Sequence, residues 1–405
     1  IQTRWPGWTI VKQPEQADLV LWTVWDYALC VANSTASHLH YHRSRKYPQS
    51  CPVHWKLWEW LQNTPRWQQT QGMDHAIVMD DPFNVVSGRR RILHPWKPTT
   101  SEQLSSIIKG ITNNAILLSV EDRRAVDRRG HSCVITVPYH INVAQAYHST
   151  AQKRHTLVSF TGSVQRIDEN CDICHNGIPP RGLRGRLARE LKTCEEGECL
   201  MRELDQVLKT VDDRSLETKL REEFGANGVQ EPLKSATFCP VPKGASATSK
   251  RFVAAVMAGC IPVIISDKFP APFPSFLNLR DFSVRISEAA FMKKGFSLLK
   301  VLRSINEEEI QTLHHGLDCA RQVLAYSHGC RLPWVTGQRR NEVCSFRPNA
   351  APDVLDHILL SLIGALQSRS QKPCNASLPW DIPLPAATPH ATFCEALGHA
   401  GRKKK

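Results

Sequence analysis

The chain between residues 235 and 273 has residue types and a spacing that suit the binding of an anion. It reads as a strand, a polar loop of small residues, a helix and a second strand. Ser249 is a predicted N-cap, so the backbone N–H groups behind it point outward with the positive end of the helix dipole. Lys243, Lys250 and Arg251 add full charges at that end, and an arginine can bind a phosphate through two parallel hydrogen bonds. The alternative is an ordinary strand–helix–strand unit with solvated basic side chains.

A neighbouring pair of side chains, Asp74 and His75, could act as a general base. Gly72 and Met73 precede the pair, which opens an apolar strand over 76–79. Histidine titrates near neutral pH, and with a carboxylate beside it an imidazole can take up a proton from a hydroxyl group. The alternative is that both residues cap a turn and orient the backbone.

Strand-like and helix-like segments alternate along the chain, and this alternation predicts the architecture. Apolar runs predict strands over 17–24, 76–79, 115–120 and 133–139, besides the two strands that flank the anion-binding loop. Apolar periodicity predicts helices over 53–61, 181–191, 298–306, 307–324 and 353–366. Strands that alternate with helices at this spacing predict an α/β fold with a mostly parallel sheet.

The composition is that of a large globular chain with a basic surface. A chain of 405 residues can bury two cores, and its basic residues exceed its acidic ones by 51 − 38 = 13. This excess favours acidic partners such as phosphates or anionic polysaccharides. The arginines of the 181–191 helix either form a solvated face, which is the favoured interpretation, or line a ligand cleft. No apolar run reaches the roughly 18 residues that span a bilayer, and because the chain begins at Ile1, we expect a signal or anchor segment to be missing from it.

The fourteen cysteines favour an oxidising compartment, in which some of them pair. Four of them have a spacing that could also bind zinc: Cys171, Cys174, Cys194 and Cys199. In an oxidising compartment, disulfide bonds are the favoured interpretation of this pattern, and the sequence predicts no metal site.

The 235–273 stretch also resembles the signature block of the exostosin family of glycosyltransferases. In that block a serine and a Phe-Cys pair precede a Pro-x-Gly loop, followed by Ser-x-Arg, Gly-Cys-x-Pro-Val-Ile, Ser-Asp and Pro-Phe. The residues that match, in order, are Ser235, Phe238, Cys239, Pro242, Gly244, Ser249, Arg251, Gly259, Cys260, Pro262, Val263, Ile264, Ser266, Asp267, Pro272 and Phe273. Looser similarity extends over residues 17–290. It includes Gly-x-Asp-His at Asp74 and His75, and a strand predicted over 155–162 that ends in Phe-x-Gly.

The resemblance implies a fold of the GT-B type, in which two Rossmann-like domains face each other across a cleft. Residues 15–162 would form the N-terminal, acceptor-side domain, and residues 163–345 the C-terminal domain that binds a nucleotide-sugar. Residues 346–405 would form a final helix and a poorly ordered tail. Ligands of open α/β sheets bind beyond the carboxyl ends of the strands, which agrees with a donor at the anion-binding loop.

The resemblance also assigns roles to single residues. Gly244, Ser249 and Arg251 would hold the diphosphate of the donor, with help from Lys243 or Lys250. Two further residues are assigned to the donor: Asp267 and Glu288. The family usually has an acidic residue three positions after the arginine, which would hydrogen-bond the ribose, whereas this chain has Ala254. Either Glu288 supplies that contact, or the donor is held differently, or activity is impaired.

The function implied is an inverting glycosyltransferase that moves a sugar from a nucleotide-sugar, with a UDP-sugar as the expected donor, to a glycan or glycoprotein acceptor. Asp74 or His75 would be the catalytic base, and no cofactor, metal or nucleic acid is expected. The alternatives are a catalytically impaired glycan- or nucleotide-binding relative, as Ala254 suggests, and a basic polyanion-binding protein. We expect the Golgi lumen or another secretory compartment, with membrane contact only through an N-terminal anchor absent from this chain.

Overall fold

The computed structural model describes thirteen parts of the chain, and the structural statements below concern those parts. They are residues 11, 13–23, 60–79, 115–120, 134–141, 150, 152–162, 164, 180–203, 231–243, 247–274, 276–326 and 354–369. The chain divides into two compact units, residues 1–136 with 360–382 and residues 137–359 with 383–405. Within the described ranges, none of the helices has the length and apolar character needed to cross a bilayer.

The first unit is built on a parallel sheet of four strands. In spatial order they are β1 (Val20–Thr23), β2 (His75–Met79), β3 (Ile116–Ser119) and β4 (Val134–Thr136). Every residue of β3 is buried, as expected for a central strand of a parallel sheet. The helix α1 (Pro65–Thr70) begins at the N-cap Thr64 and precedes β2. All four strands lie within segments predicted as strands or start one residue earlier.

The second unit contains a parallel sheet of five strands. They are β5 (Thr156–Gly162), β6 (Cys199–Glu203), β7 (Ala236–Pro242), β8 (Ile261–Ile265) and β9 (Val284–Arg285), in the spatial order β6-β5-β7-β8-β9. The chain therefore moves to one side of β5 to form β6, and then to the other side to form β7. This reversal of direction places a topological switch point between β5 and β7, where open α/β sheets bind their ligands.

Seven further helices follow in the described chain. They are α2 (Pro180–Leu191), α3 (Glu231–Ser235), α4 (Lys250–Ala258), α5 (Glu288–Met292), α6 (Leu298–Arg303), α7 (Glu307–Leu324) and α8 (Val354–Arg369). The first six belong to the second unit, whereas the last, α8, crosses the division between the two units after residue 359. The predicted helices near 181, 298, 307 and 353 are confirmed. Of the helix predicted over 53–61, all but the last two residues lies outside the described chain. The parallel sheets with accompanying helices confirm the predicted α/β class, whereas two Rossmann-like domains that face each other across a cleft stay a prediction.

Helix α4 is fixed at both ends, and this matters because the predicted anion site is at its start. The Ser249 side chain accepts a hydrogen bond from the backbone N–H of Arg251 at 3.2 Å, and the left-handed Gly259 (φ 70°) ends the helix. Arg154 donates to Ala258 O at 2.8 Å, and the buried Arg321 donates to the last-turn carbonyls of Val256 and Met257. Cations at this end satisfy the free carbonyls and oppose the negative end of the helix dipole.

Strand β5 belongs to the second unit. The predicted domain boundary at 162 assigned this strand to the N-terminal domain, but its hydrogen-bonded neighbours are β6 and β7. The switch point is therefore formed within one unit. A disulfide bond between Cys239 of β7 and Cys260, directly before β8, ties the two strands that flank α4 in the sequence.

Candidate functional site

Five of the predicted donor-site residues meet at the carboxyl edge of the second sheet. They are Lys243 directly after β7, Ser249 and Arg251 at the start of α4, Asp267 after β8 and Glu288 at the start of α5. Lys250 is the first residue of α4 and is exposed. Gly244, in the loop between Lys243 and Ala247, lies outside the described residues. The predicted set is thus brought together beside the switch point between β5 and β7.

Arg251 reaches from the first turn of α4 to the carboxyl end of β5. Its Nη2 donates a hydrogen bond to Thr161 O at 2.6 Å, and its guanidinium carbon lies 4.4 Å from the centre of the Phe160 ring. Gly162 makes this approach possible, because a Cβ at that position would collide with the guanidinium. The Arg251 side chain is therefore held by the Thr161 carbonyl and the Phe160 ring, in space that Gly162 leaves open.

The positive charge of Arg251 has no counterion among the described residues. Its Nη1 is buried and forms no hydrogen bond, and no described carboxylate forms an ion pair with it. Burial, together with the nearby charge of Arg184, lowers the pKa of the Arg251 guanidinium to about 9, so the group remains protonated at neutral pH. Because an unpaired buried charge is costly, this geometry favours a bound anion.

Arg184 brings a second guanidinium to the same place from helix α2. It is buried, and its Nε donates a hydrogen bond to Lys243 O at 3.3 Å. The expectation of a solvated arginine face on this helix is therefore wrong for Arg184. It precedes the buried Ala188 by one helical turn, and this position beside the apolar stripe of α2 was the available signal.

Lys243 is buried, and its ammonium group lies over the same edge. Its backbone N–H donates to Ile265 O at 3.0 Å, which fixes the residue to β8. Its Nζ lies 3.6 Å from Glu288 Oε2, beyond hydrogen-bond distance. The ammonium hydrogens thus have no hydrogen-bond acceptor in the part of the chain that is described, and they remain available to a phosphate oxygen.

Asp267 and Glu288 lock the ends of β8 and β9 together. The backbone N–H of Asp267 donates to Glu288 Oε1 at 3.1 Å, and the backbone N–H of Glu288 donates to Asp267 Oδ1 at 2.9 Å. The buried Glu288 carboxylate accepts from the Asp267 backbone with one oxygen and faces the Lys243 ammonium with the other, so it fixes the positions of both residues. This arrangement favours a positioning role over the ribose contact suggested for Glu288. Ala254 lies one turn after Arg251 and is buried.

Asp74 and His75 lie at the amino-terminal edge of the first sheet. Asp74 accepts hydrogen bonds from Arg66 at 2.5 Å and from Thr70 at 2.5 Å, and the buried His75 ring nitrogen lies 2.7 Å from its Oδ1. Burial alone would raise the pKa of Asp74, but the bonds to His75, Thr70 and Arg66 lower it to about 2. This network, at the edge opposite to where ligands bind, favours the alternative that the pair caps and orients the backbone. The catalytic assignment stays a prediction.

The structure describes two of the four cysteines whose spacing could bind zinc. Cys194 and Cys199 form a disulfide bond, in agreement with the favoured interpretation, while Cys171 and Cys174 lie outside the described residues. The described ranges contain one cluster with the composition of a metal site, Cys194, Glu198 and Cys199, and its two sulfur atoms are joined to each other.

Three contacts of the site were not predicted as such: those of Phe160, Thr161 and Gly162 with Arg251. The sequence signal was present as the Phe-x-Gly end of the strand predicted over 155–162, but nothing local connects it with α4.

Comparison with known proteins gives a consistent result. The family model of the exostosin GT47 domain matches residues 2–305. A probable arabinosyltransferase of Arabidopsis thaliana is 23% identical over 272 residues, which cover 67% of this chain and 50% of that protein. A probable glucuronosyltransferase of Oryza sativa subsp. japonica is 33% identical over 55% of this chain and 45% of that protein. Exostosin-1 of Bos taurus is 32% identical over 22% of this chain and 12% of its own length. The chain thus spans half or less of these relatives.

Proposed function

Because the chain belongs to the exostosin GT47 family, we propose that it is a glycosyltransferase whose nucleotide-sugar donor binds at the carboxyl edge of the second sheet. The observation that carries this proposal is the buried, unpaired charge of Arg251 at the switch point between β5 and β7. A diphosphate supplies the missing counterion, and its oxygens also suit the Lys243 ammonium and the N-terminus of α4.

The proposed reaction is a single displacement with inversion at the anomeric carbon. The acceptor hydroxyl oxygen forms the new bond to that carbon, the bond to the diphosphate oxygen breaks, and the diphosphate leaves with the electron pair. Arg251, Lys243 and the helix end stabilise the charge that develops on the diphosphate. The hydroxyl proton passes to a base, for which Asp74 and His75 remain the sequence-based candidates.

The donor and acceptor classes proposed are a UDP-sugar and a glycan or glycoprotein. The relatives named as arabinosyl- and glucuronosyltransferases support a sugar donor in general but differ in the sugar they name. The two described disulfide bonds support an oxidising compartment, and we place the protein in the Golgi lumen or elsewhere in the secretory pathway.

A second candidate function is nucleotide-sugar binding without transfer. It is favoured by Ala254, which offers no acidic group one turn after Arg251. Loss of such a contact costs about 1–3 kcal/mol of donor binding. The two candidates share the donor site, so a measurement of transfer or donor hydrolysis separates them.

The test is the substitution Arg251→Met, which removes the charge and keeps an unbranched side chain. We expect the variant to be at least as stable as the wild type without ligand, because replacing an unpaired buried charge by an apolar group is neutral or favourable. We expect UDP to lose its stabilising effect on thermal unfolding, and transfer activity to fall by about 10²–10³-fold.

The matched control is Arg189→Met on helix α2, since Arg189 is exposed. It removes the same charge and should leave the UDP-induced shift unchanged. If Arg251→Met binds UDP as the wild type does, or if it unfolds while the wild type gains nothing from UDP, Arg251 is a structural residue and the proposed site is wrong.

A further inference from the structure

Four titratable side chains meet at the carboxyl-terminal end of α4, the end opposite to the proposed donor site. They are Arg154, in the segment before β5, and His314, Asp318 and Arg321 of α7. Helix α7 packs against α4, and none of the four side chains belongs to the proposed diphosphate site. This group is called the α4 clamp below.

The two arginines of the α4 clamp hold the last turn of the helix by its carbonyls. The buried Arg321 donates from Nε to Val256 O at 2.8 Å and from Nη2 to Met257 O at 3.1 Å. Arg154 donates from Nη2 to Ala258 O at 2.8 Å. The carbonyls at the end of a helix lie outside its regular hydrogen-bond ladder, so the two guanidinium groups satisfy them and fix the end of α4.

Positive charge exceeds negative charge in the α4 clamp. Its one carboxylate, Asp318, accepts from Arg321 Nη1 at 2.9 Å and from the Thr150 hydroxyl at 2.8 Å. Arg154 forms no ion pair with the described residues, since its Nη1 donates to backbone carbonyls and its Nε is buried without a hydrogen bond. Burial, followed by the charge of Arg321, lowers the pKa of Arg154 to about 10, so this guanidinium stays charged at neutral pH.

His314 lies beside these cations, and its Nε2 is buried without a hydrogen-bond partner. In a protonated imidazole both ring nitrogens carry a hydrogen, so protonation would create a buried N–H group without an acceptor. Protonation would also add a third positive charge beside Arg154 and Arg321. Both effects favour the neutral ring.

The charges that act on His314 come from its own helix and from Arg154. Burial, followed by the charge of Arg154, lowers the pKa of His314 below its ordinary value of 6.5, and the charge of Arg321 acts in the same direction. Asp318 and Glu307 act in the opposite direction but do not prevail. The clamp therefore contains one group that changes charge near neutral pH, and its surroundings oppose that change.

The other described elements packed against α7 do not supply a counterion for His314. Strand β8 has no titratable residue, and the charged residues of α4, Lys250 and Arg251, are at its far end. The turn Leu279–Asp281 approaches α7 through the backbone carbonyl of Asp281, which leaves no room for a side chain at Gly316.

We infer that the α4 clamp is acid-sensitive: it holds the last turn of α4 while His314 is neutral, and protonation of His314 releases that turn. The repulsion is relieved when Arg154 moves away from the imidazolium, and Arg154 then leaves the Ala258 carbonyl. Because Ser249 and Arg251 are at the start of the same nine-residue helix, release of its far end also weakens binding at its start. This last step rests on the proposed function, whereas the acid sensitivity of the clamp does not.

The direction of the pH effect follows from the lowered pKa of His314. In the unfolded chain His314 takes up a proton near pH 6.5, whereas in the folded chain it does so only at a lower pH. The neutral ring therefore stabilises the fold above pH 6.5, and this contribution is lost as the pH falls through the pKa of the folded state. Carboxylates change charge mostly below about pH 5, so a comparison of pH 7.5 with pH 5.5 reports mainly on histidines.

The test compares the wild-type chain with His314→Gln, whose side chain cannot become charged, and with the control His315→Gln. His315 is the exposed neighbour of His314 on α7. Urea unfolding, amide hydrogen exchange of peptides that cover 252–260 and the calorimetric affinity for UDP are measured at pH 7.5 and pH 5.5. Comparison of the chains at the same pH cancels the intrinsic pH dependence of exchange and the protonation of UDP itself.

Each chain is judged by its change between the two pH values. We expect the wild type and His315→Gln to lose more stability in acid than His314→Gln, and to gain faster exchange in the last turn of α4. The loss of UDP affinity in acid should be about fivefold or more larger in the wild type than in His314→Gln, which is the lower end of the usual coupling between distant sites.

A second measurement needs no substitution. Deuterium uptake at the C2 position of each imidazole, followed by mass spectrometry as the pH is varied, reports the titration of single histidines in the wild-type chain. We expect His314 to titrate below pH 6.5. Titration at or above that value, or equal acid-induced changes in all three chains, overturns the inference.

Failure of the donor site gives a different pattern. If UDP does not bind, or binds independently of Arg251, the proposed function fails, and unfolding and exchange still decide whether the α4 clamp is acid-sensitive. If UDP binds through Arg251 and His314→Gln keeps the wild-type pH dependence of unfolding and exchange, the donor site stands and the inference fails. If the clamp loosens in acid but UDP affinity changes equally in all three chains, its link to the donor site is wrong.

Discussion

At the scale of single residues, the proposed site depends on the positive charge of Arg251, which the fold holds in position without a bound ligand. Arg251 is held by Thr161 O and by the face of Phe160, and neither contact neutralises it. A carboxylate beside it would lower the cost of burial but would compete with a diphosphate. The free Nη1 therefore keeps the guanidinium available for a ligand.

Gly162 makes this placement of Arg251 possible, because it has no side chain. In Gly162→Ala the new methyl group would collide with the guanidinium of Arg251, so the charge must move from the switch point. The φ of Gly162 is not positive, so alanine adopts its backbone conformation and the effect is steric. We expect the Kd for UDP, measured by calorimetry, to rise about tenfold or more, which corresponds to about 1.4 kcal/mol.

The control for this substitution is Gly182→Ala in helix α2, where the new Cβ meets Met292 Cε at an ordinary distance of 3.5 Å. It should bind UDP as the wild type does. Unchanged UDP affinity in Gly162→Ala would show that the contact between Gly162 and Arg251 is irrelevant to the ligand.

At the scale of elements, α1 and β2 are joined by a network rather than by apolar packing alone. Asp74 accepts from Arg66 and Thr70 of α1, and Arg66 Nη2 also donates to Ala17 O at 2.7 Å, before β1. Trp67 of α1 packs edge-on against the His75 ring, with 4.8 Å between the ring centres. One carboxylate therefore connects the helix to the strand, and its neighbour Arg66 extends the connection to the start of the sheet.

The low pKa of Asp74 makes a prediction about pH. The pKa falls from 3.8 in the unfolded chain to about 2 in the folded one, so the carboxylate stabilises the fold above pH 3.8 and loses this effect as the pH falls towards 2. The contribution at neutral pH is about 2 kcal/mol. We expect Asp74→Asn to lose about this much in urea unfolding at pH 7, and to show a weaker loss of stability between pH 5 and 2 than the wild type.

The exposed Asp18 provides the control, since Asp18→Asn should retain the wild-type pH dependence. The variant Asp74→Asn also tests whether Asp74 is the catalytic base. If Asp74 only stabilises the fold, transfer activity per folded molecule survives in Asp74→Asn; if Asp74 is the base, that activity is lost. If the stability of Asp74→Asn depends on pH as that of the wild type does, the role assigned to the network is contradicted.

Local chemistry explains which elements the sequence could predict. The strands β2 and β3 were predicted from continuous apolar runs, and the start of α4 from a capping serine, because these signals lie within a few residues. The order of the strands and the approach of Arg251 to Gly162 join distant parts of the chain, and no local pattern reports them. Asp74 and His75 were placed correctly at a strand start, but the sequence did not reveal their network.

At the scale of the whole molecule, the net charge of +13 is compatible with more than one anionic partner. The polyanion-binding alternative predicts salt-sensitive binding to heparin without affinity for nucleotide-sugars. The donor site differs from a general basic surface because its principal charges, Arg251, Arg184 and Lys243, are partly or fully buried and held by named contacts. Binding there should therefore be localised.

Binding of a nucleotide at the proposed donor site should protect one part of the chain from hydrogen exchange. Every residue of the proposed donor site belongs to the unit of residues 137–359. In hydrogen exchange measured by mass spectrometry, we expect UDP to slow exchange of peptides that cover the start of α4 and the carboxyl ends of β7 and β8, because backbone N–H groups at the helix start would bind the phosphates. Peptides of β2 and β3 should exchange as they do without UDP. Arg251→Met should abolish the effect, and protection that is centred on the first sheet, or uniform along the chain, would contradict a donor site at the start of α4.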